Sequence, residues 1–99
     1  MPAKLVRDRI PAIIEAAGRS PVIRRAEPRE MLPLLRAKLV EEVDEFLASD
    51  DPMELADVLE VVFALASRLN LSQTELEQAR ARKAADNGAF NDGVILLGR

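Results

Sequence analysis

Between Glu41 and Glu60 the chain carries nine carboxylates and not one lysine or arginine. Five of them fall at spacings that suit chemistry: Glu41, Glu42 and Glu45 in "EEVDEF", then Glu54 and Asp57 in "ELAD". At about 100° per residue, Glu41, Glu42 and Glu45 share one face of a helix, while Asp44 sits farther round and reads as solvated. Two carboxylates about 6 Å apart repel by roughly 2–3 kcal/mol at an effective dielectric near 20. A chain that had only to fold would spread such charges out. Hard oxygen donors, with no Cys or His anywhere in the chain, suit Mg2+ or Mn2+. One or two ions, completed by water and substrate phosphates, would account for five acids. The competing reading is a solvated acidic face, with Glu54 completing a capping box with Asp51 and Asp57 favouring a helix N-terminus.

The elements that must position these acids are helical. Asp8 can cap a short helix running to about Ala17, with Pro11 in its first turn and Gly18 as its stop. "RSPVIRRAEP" reads as an extended connector punctuated by Pro21 and Pro28. A second helix is expected over about 29–48, with Pro33 near its first turns. "SDDP" makes a tight join, with Asp51 as cap and Pro52 at the first position of a third helix that runs to about 69. Asn70 stops that helix, and Ser72 with Glu75 forms a capping box for a fourth. The fourth ends near Asn87–Gly88, and "GAFNDGVILL" follows as a turn and a short apolar tail.

The fold class implied is all-α, a single small four-helix bundle-like domain over 1–99 with an antiparallel central hairpin. That hairpin sets Glu41, Glu42 and Glu45 opposite Glu54 and Asp57, with Lys38 the one nearby base of its own. Leu32, Leu35, Leu39, Val43, Phe46 and Leu47 form the apolar arc of the second helix. The third helix is apolar over more than half its circumference, through Leu55, Val58, Leu59, Val61, Val62, Phe63, Leu65, Ala66 and Leu69, so most of it should be buried. Glu54 falls inside that arc and Asp57 at its edge. Three other short helices do not supply enough cover, and a homodimer or higher homo-oligomer is expected.

Composition closes off several classes. With 48% hydrophobic residues in 99 the chain is globular, and without Cys or His it has neither thiolate nor imidazole chemistry. The charge of −3 is segregated: residues 1–40 hold nine bases and four acids, residues 41–60 nine acids and no bases. Three aromatics, all Phe, make few stacking platforms, and a helical acidic block argues against nucleic-acid binding. No run is apolar enough to span a membrane, and "MPAKLVRDRIPAII" is unlike a signal peptide, so a cytoplasmic protein is expected.

"EEVDE" followed by "ELAD" resembles the EExxE…ExxD signature of the MazG-like all-α nucleoside triphosphate pyrophosphohydrolases. "KLVRDRIPAII", "KLVEEVDEFL", "ELADVLEVV" and "KAADNGAFNDGVILL", in that order, are similar to a small phosphoribosyl-ATP pyrophosphohydrolase-like subgroup. The eight residues between Glu45 and Glu54 are fewer than is common in the superfamily, which the short "SDDP" turn accounts for. The resemblance implies Mg2+-dependent hydrolysis of a nucleoside triphosphate to monophosphate and pyrophosphate. It makes Glu41, Glu42, Glu45, Glu54 and Asp57 the metal-binding acids, with Glu41 or Glu42 orienting or deprotonating the attacking water. Metal coordination lowers the pKa of water, so the absence of His is no obstacle. Alternatives are the phosphoribosyl-ATP step of histidine biosynthesis and a non-catalytic helical interaction module.

Four bases are candidate substrate contacts. Lys38 holds a phosphate or neutralises Glu41 and Glu42. Arg7 and Arg9 bind triphosphate oxygens or are surface charges beside a cap. Lys83, ahead of "NGAF", stands where the resemblance implies a phosphate contact. Phe90 is expected to pack on the bundle, Gly88 and Gly93 to serve turns, and Glu60 to be either a supporting acid or an ordinary surface one.

Overall fold

A computed structural model describes residues 4–98. It contains four α-helices, α1 (Ile10–Ala16), α2 (Pro28–Ser49), α3 (Glu54–Arg68) and α4 (Gln73–Asn87), and no strand among the described residues. The chain is all-α, and α3 packs against both α2 and α4 in the manner of a small bundle.

Local signals account for most helix ends. Gly18 takes φ 85°, and Arg19 N–H donates to the Ile14 carbonyl at 3.2 Å, so α1 closes in a Schellman turn. Asp8 is not its cap: the N-cap is Arg9, with no side-chain bond. Arg9 already has helical dihedrals, the Ile10 N–H donates to the Arg7 carbonyl at 3.1 Å, and Pro11 has no N–H to satisfy. At α2, Pro28 is the first helical residue and not the last of the connector. Glu27 and Glu30 form a capping box there, and Arg24 clamps the Glu30 carboxylate through two bonds of 2.9 and 2.8 Å. Ser72 and Glu75 form the expected box on α4, with bonds of 3.1 and 2.9 Å.

The α2–α3 join is tight because Asp50 adopts a left-handed conformation, φ 54°, and donates its N–H to the Phe46 carbonyl at 2.8 Å. Asp51 accepts from Met53 N–H at 3.0 Å, and Pro52 lies in that turn ahead of α3, which itself begins at Glu54. The Asp51 N–H donates to Ser49 Oγ at 3.1 Å. Glu54 therefore does not close a box on Asp51, and its carboxylate stays with the other acids. Asn70 ends α3 with φ 63°.

Burial departs from expectation. Of the broad α3 arc only Val61 and Ala66 are buried, while Leu55 and Leu59 are 49% exposed and Leu69 62%. Leu35 is the one buried apolar residue of α2, and Leu47 stands largely in solvent. Phe90 packs on nothing, and Val94, Ile95, Leu96 and Leu97 project from the body. The cause is shape. The radius of gyration is 17.4 Å, against roughly 13 Å for a compact chain of this length. α2 and α4 pack on α3, and among the described residues much of its apolar arc is left exposed.

Candidate functional site

Two stripes of side chains face each other along the hairpin. Met31, Leu35, Lys38 and Glu42 lie at i, i+4, i+7 and i+11 on α2, and Asp57, Val61, Ala64 and Arg68 repeat that spacing on α3. Because the helices run antiparallel, Glu42 meets Asp57 at the closed end and Met31 meets Arg68 at the open end. All eight residues line a groove of about 630 Å³, and the segment 5–9 forms its third wall. That volume falls within the usual range of small-molecule sites.

The five acids come together as expected from their order in the chain. Carboxylate oxygens of Glu41, Glu42 and Glu45 lie within 4.8 Å of one another, and so do those of Glu42, Glu54 and Asp57. Glu42 belongs to both groups and is buried, 8% exposed. A buried carboxylate needs a partner. Its partner is Lys38 Nζ at 3.3 Å, itself a turn away on the same helix and bonded also to Glu41 at 3.2 Å. Lys38 thus neutralises the acids in this arrangement. Asp44 is exposed, and Glu60 lines the groove.

Positive charge also arrives from outside the hairpin. Lys4 Nζ pairs with Glu41 at 3.2 Å, and Arg7 donates to Asp57 Oδ1 at 2.6 Å. These partners are 37 and 50 residues apart in the chain, beyond the reach of any spacing argument. Arg9 lines the groove. Lys83 lies on the exposed side of α4 and does not line the groove of its own chain. Arg68 and Ser67, which the acids had overshadowed, do line it. The signal that reveals Arg68 is its i+11 relation to Asp57.

Three cations do not balance five acids, and the titration behaviour shows the imbalance. Hydrogen bonding to Lys4, reinforced by Lys38, holds Glu41 below the usual carboxylate range. Repulsion from Glu42 pushes Glu45 up, with burial adding to it. Burial pushes Glu54 up, and contact with Asp57 and repulsion from Glu45 act in the same direction. Burial lowers Lys38, but its bonds to Glu41 and Glu42 prevail and raise it overall. An all-oxygen donor set of two groups sharing one acid, strained by its own charge, fits a hard divalent cation.

Comparison with known proteins gives two relatives. A dATP/dGTP diphosphohydrolase of Cyanophage S-2L is 44% identical over 64 residues, which is 54% of this chain and 61% of that protein. An uncharacterized protein of Mycolicibacterium smegmatis is 56% identical over 48 residues, 48% of this chain and 49% of that one. The chain spans about half to three-fifths of the length of these curated relatives. No protein-family profile and no solved structure matches it. No helix among the described residues is long and apolar enough to cross a membrane.

Proposed function

We propose that this chain is a divalent-metal-dependent nucleotide pyrophosphohydrolase, cleaving a nucleoside triphosphate to monophosphate and pyrophosphate. The observation that carries this reading is the pair of carboxylate groups joined at buried Glu42, at the closed end of a groove of ligand size. The relative named as a dATP/dGTP diphosphohydrolase supports a hydrolase acting on nucleotides. This chain's resemblance in "EEVDE" and "ELAD" to MazG-like enzymes points the same way, and house-cleaning of non-standard nucleotides is the role that resemblance suggests.

Glu41, Glu42 and Glu45 would hold one Mg2+ or Mn2+, and Glu42, Glu54 and Asp57 a second. Such ions offset charge on the transferring phosphoryl oxygens and acidify coordinated water. The protein's own groups do the rest. Glu41 is held by two ammonium groups, Lys4 and Lys38, which lower its pKa. Orientation of the attacking water would fall to Glu41 or Glu42, both of which Lys38 holds. Lys38 and Arg7 lie against the acids and are the nearest cations to the phosphates of a bound triphosphate.

The working unit of this proposal is a homodimer. The chain exposes 8801 Å², against roughly 5,600 Å² for a compact monomer of its mass. Exposed large apolar residues include Val40, Leu47, Leu55 and Leu59 on α2 and α3 and Val94, Ile95, Leu96 and Leu97 in the tail, and a second copy would cover such a surface. Sedimentation at micromolar concentration should give twice the mass of the chain; a well-folded monomer would remove this part of the reading.

Product analysis tests the activity. Purified protein is incubated with ribo-, deoxy- and damaged nucleoside triphosphates and with phosphoribosyl-ATP, with and without Mg2+. Monophosphate and pyrophosphate should appear only with metal. Diphosphate and inorganic phosphate as products would assign a different reaction.

A further inference from the structure

The acids occupy one end of the groove, and its far end has a different chemistry. Eleven residues beyond Asp57 on the same face of α3, Arg68 lies about 16 Å along the helix axis. Between them Val61 and Ala64, with Leu35 and Met31 opposite, line an apolar stretch. Of the cations that line the groove, Arg68 and Arg9 make no ion pair with any other described residue, and Arg9 stands on the third wall, two residues from the Arg7 that holds Asp57. The groove thus runs from carboxylates through an aliphatic floor to an unpaired guanidinium. An extended nucleoside triphosphate has the same order of parts: polyphosphate, sugar and flat base, then a polar base edge.

We infer that Arg68 reads the edge of the base and selects nucleotides with a 6-oxopurine. This rests on the nucleotide hydrolysis proposed above. No Phe lines the groove, so aliphatic walls contact the faces of the base without fixing its rotation. Orientation then depends on a polar contact at the end. A guanidinium fork offers two parallel donors, which match the O6 and N7 acceptors of guanine. Adenine presents an amino donor beside N7, and that donor faces the fork and is rejected. The relative from Cyanophage S-2L is named for dATP and dGTP together, so a preference between the two would be a property of this chain.

The test compares kcat/KM for dGTP and dATP in the wild type, Arg68→Met and Arg68→Lys. Arg68 is exposed at a helix end, so all three should melt alike. The dGTP to dATP ratio should fall about tenfold in Arg68→Met, with Arg68→Lys in between because it keeps the charge and loses the fork. An unchanged ratio with turnover intact overturns the role of Arg68 and leaves hydrolysis standing. Calorimetric binding of dGMP and dAMP without metal separates the two readings. A preference for dGMP that Arg68→Met abolishes supports the role even if no triphosphate is hydrolysed. Equal binding of both, or of neither, overturns it.

Discussion

Two of the places where arginine or lysine pairs with glutamate, the start of α2 and the hairpin, behave in opposite ways. At the start of α2 the matching is one to one. Arg24 grips Glu30 through both oxygens, Glu30 also accepts from the Glu27 N–H, and its pKa is lowered to about 2. In the hairpin, three cations serve five acids, and the shifts diverge: Glu41 goes down while Glu45 and Glu54 go up. The first arrangement is complete as it stands and fastens a connector to a helix. The second holds more negative charge than the other described residues neutralise, and that surplus makes it a candidate site and the first a clasp.

Breaking the shared acid should have the largest effect. Glu42→Gln removes an oxygen ligand from both groups at once, and pyrophosphate release should drop by more than about a hundredfold, beyond the loss typical of changes to outer partners of a metal site. Circular dichroism should show the helices intact. Retained turnover would move the chemistry away from the hairpin.

Metal addition should come next in size. Mg2+ at a hundredfold excess over its dissociation constant stabilises a folded state by about 2.7 kcal/mol if the unfolded chain does not bind it. The melting temperature should rise by several degrees, and Asp57→Asn should shrink that rise. Arg24→Gln should leave the increment untouched, which would sharpen the contrast between the two places.

Acid titration without metal should separate them by sign. Glu30 has a folded pKa below its unfolded value, so its contribution is present above about pH 4.5 and is lost as pH falls toward about 2. Glu45 and Glu54 have folded values above their unfolded ones, so their repulsion is relieved as pH falls from 7 toward the carboxylate range. Thermal melts should therefore rise slightly as pH falls toward the carboxylate range and fall again below about 4.5. Glu54→Gln should flatten the first slope and Glu30→Gln part of the second. The smallest change is expected for Arg24→Gln at neutral pH, a barely resolved shift in midpoint, because the pair is exposed and screened.

Sequence reached local features well. The capping box at Ser72, the left-handed stop at Asn70, the tight join before α3 and the convergence of five acids all depend on residues within a few turns of each other. It failed where distance or cover decides. Lys4 and Arg7 reach acids tens of residues away, and the spacing of the acids carries no trace of them. The apolar arc of α3 implied burial, but only Val61 and Ala66 of it are buried, because apolar periodicity does not say what covers a face. Phe90 fails for the same reason: its position in the sequence says that it is apolar and not what covers it.

The turn at Asp50 has a consequence for the order of events in folding. Glu41 and Asp57, the outermost of the five acids, are sixteen residues apart, and one left-handed residue and a short bend bring them together. Contacts so local close early, on the timescale of helix pairing, well before any encounter between chains. The nascent hairpin thus holds its five carboxylates while its apolar outer face is still bare. A divalent ion captured then would act as a staple on a sixteen-residue loop, setting the register of two helices while their apolar outer faces are still bare.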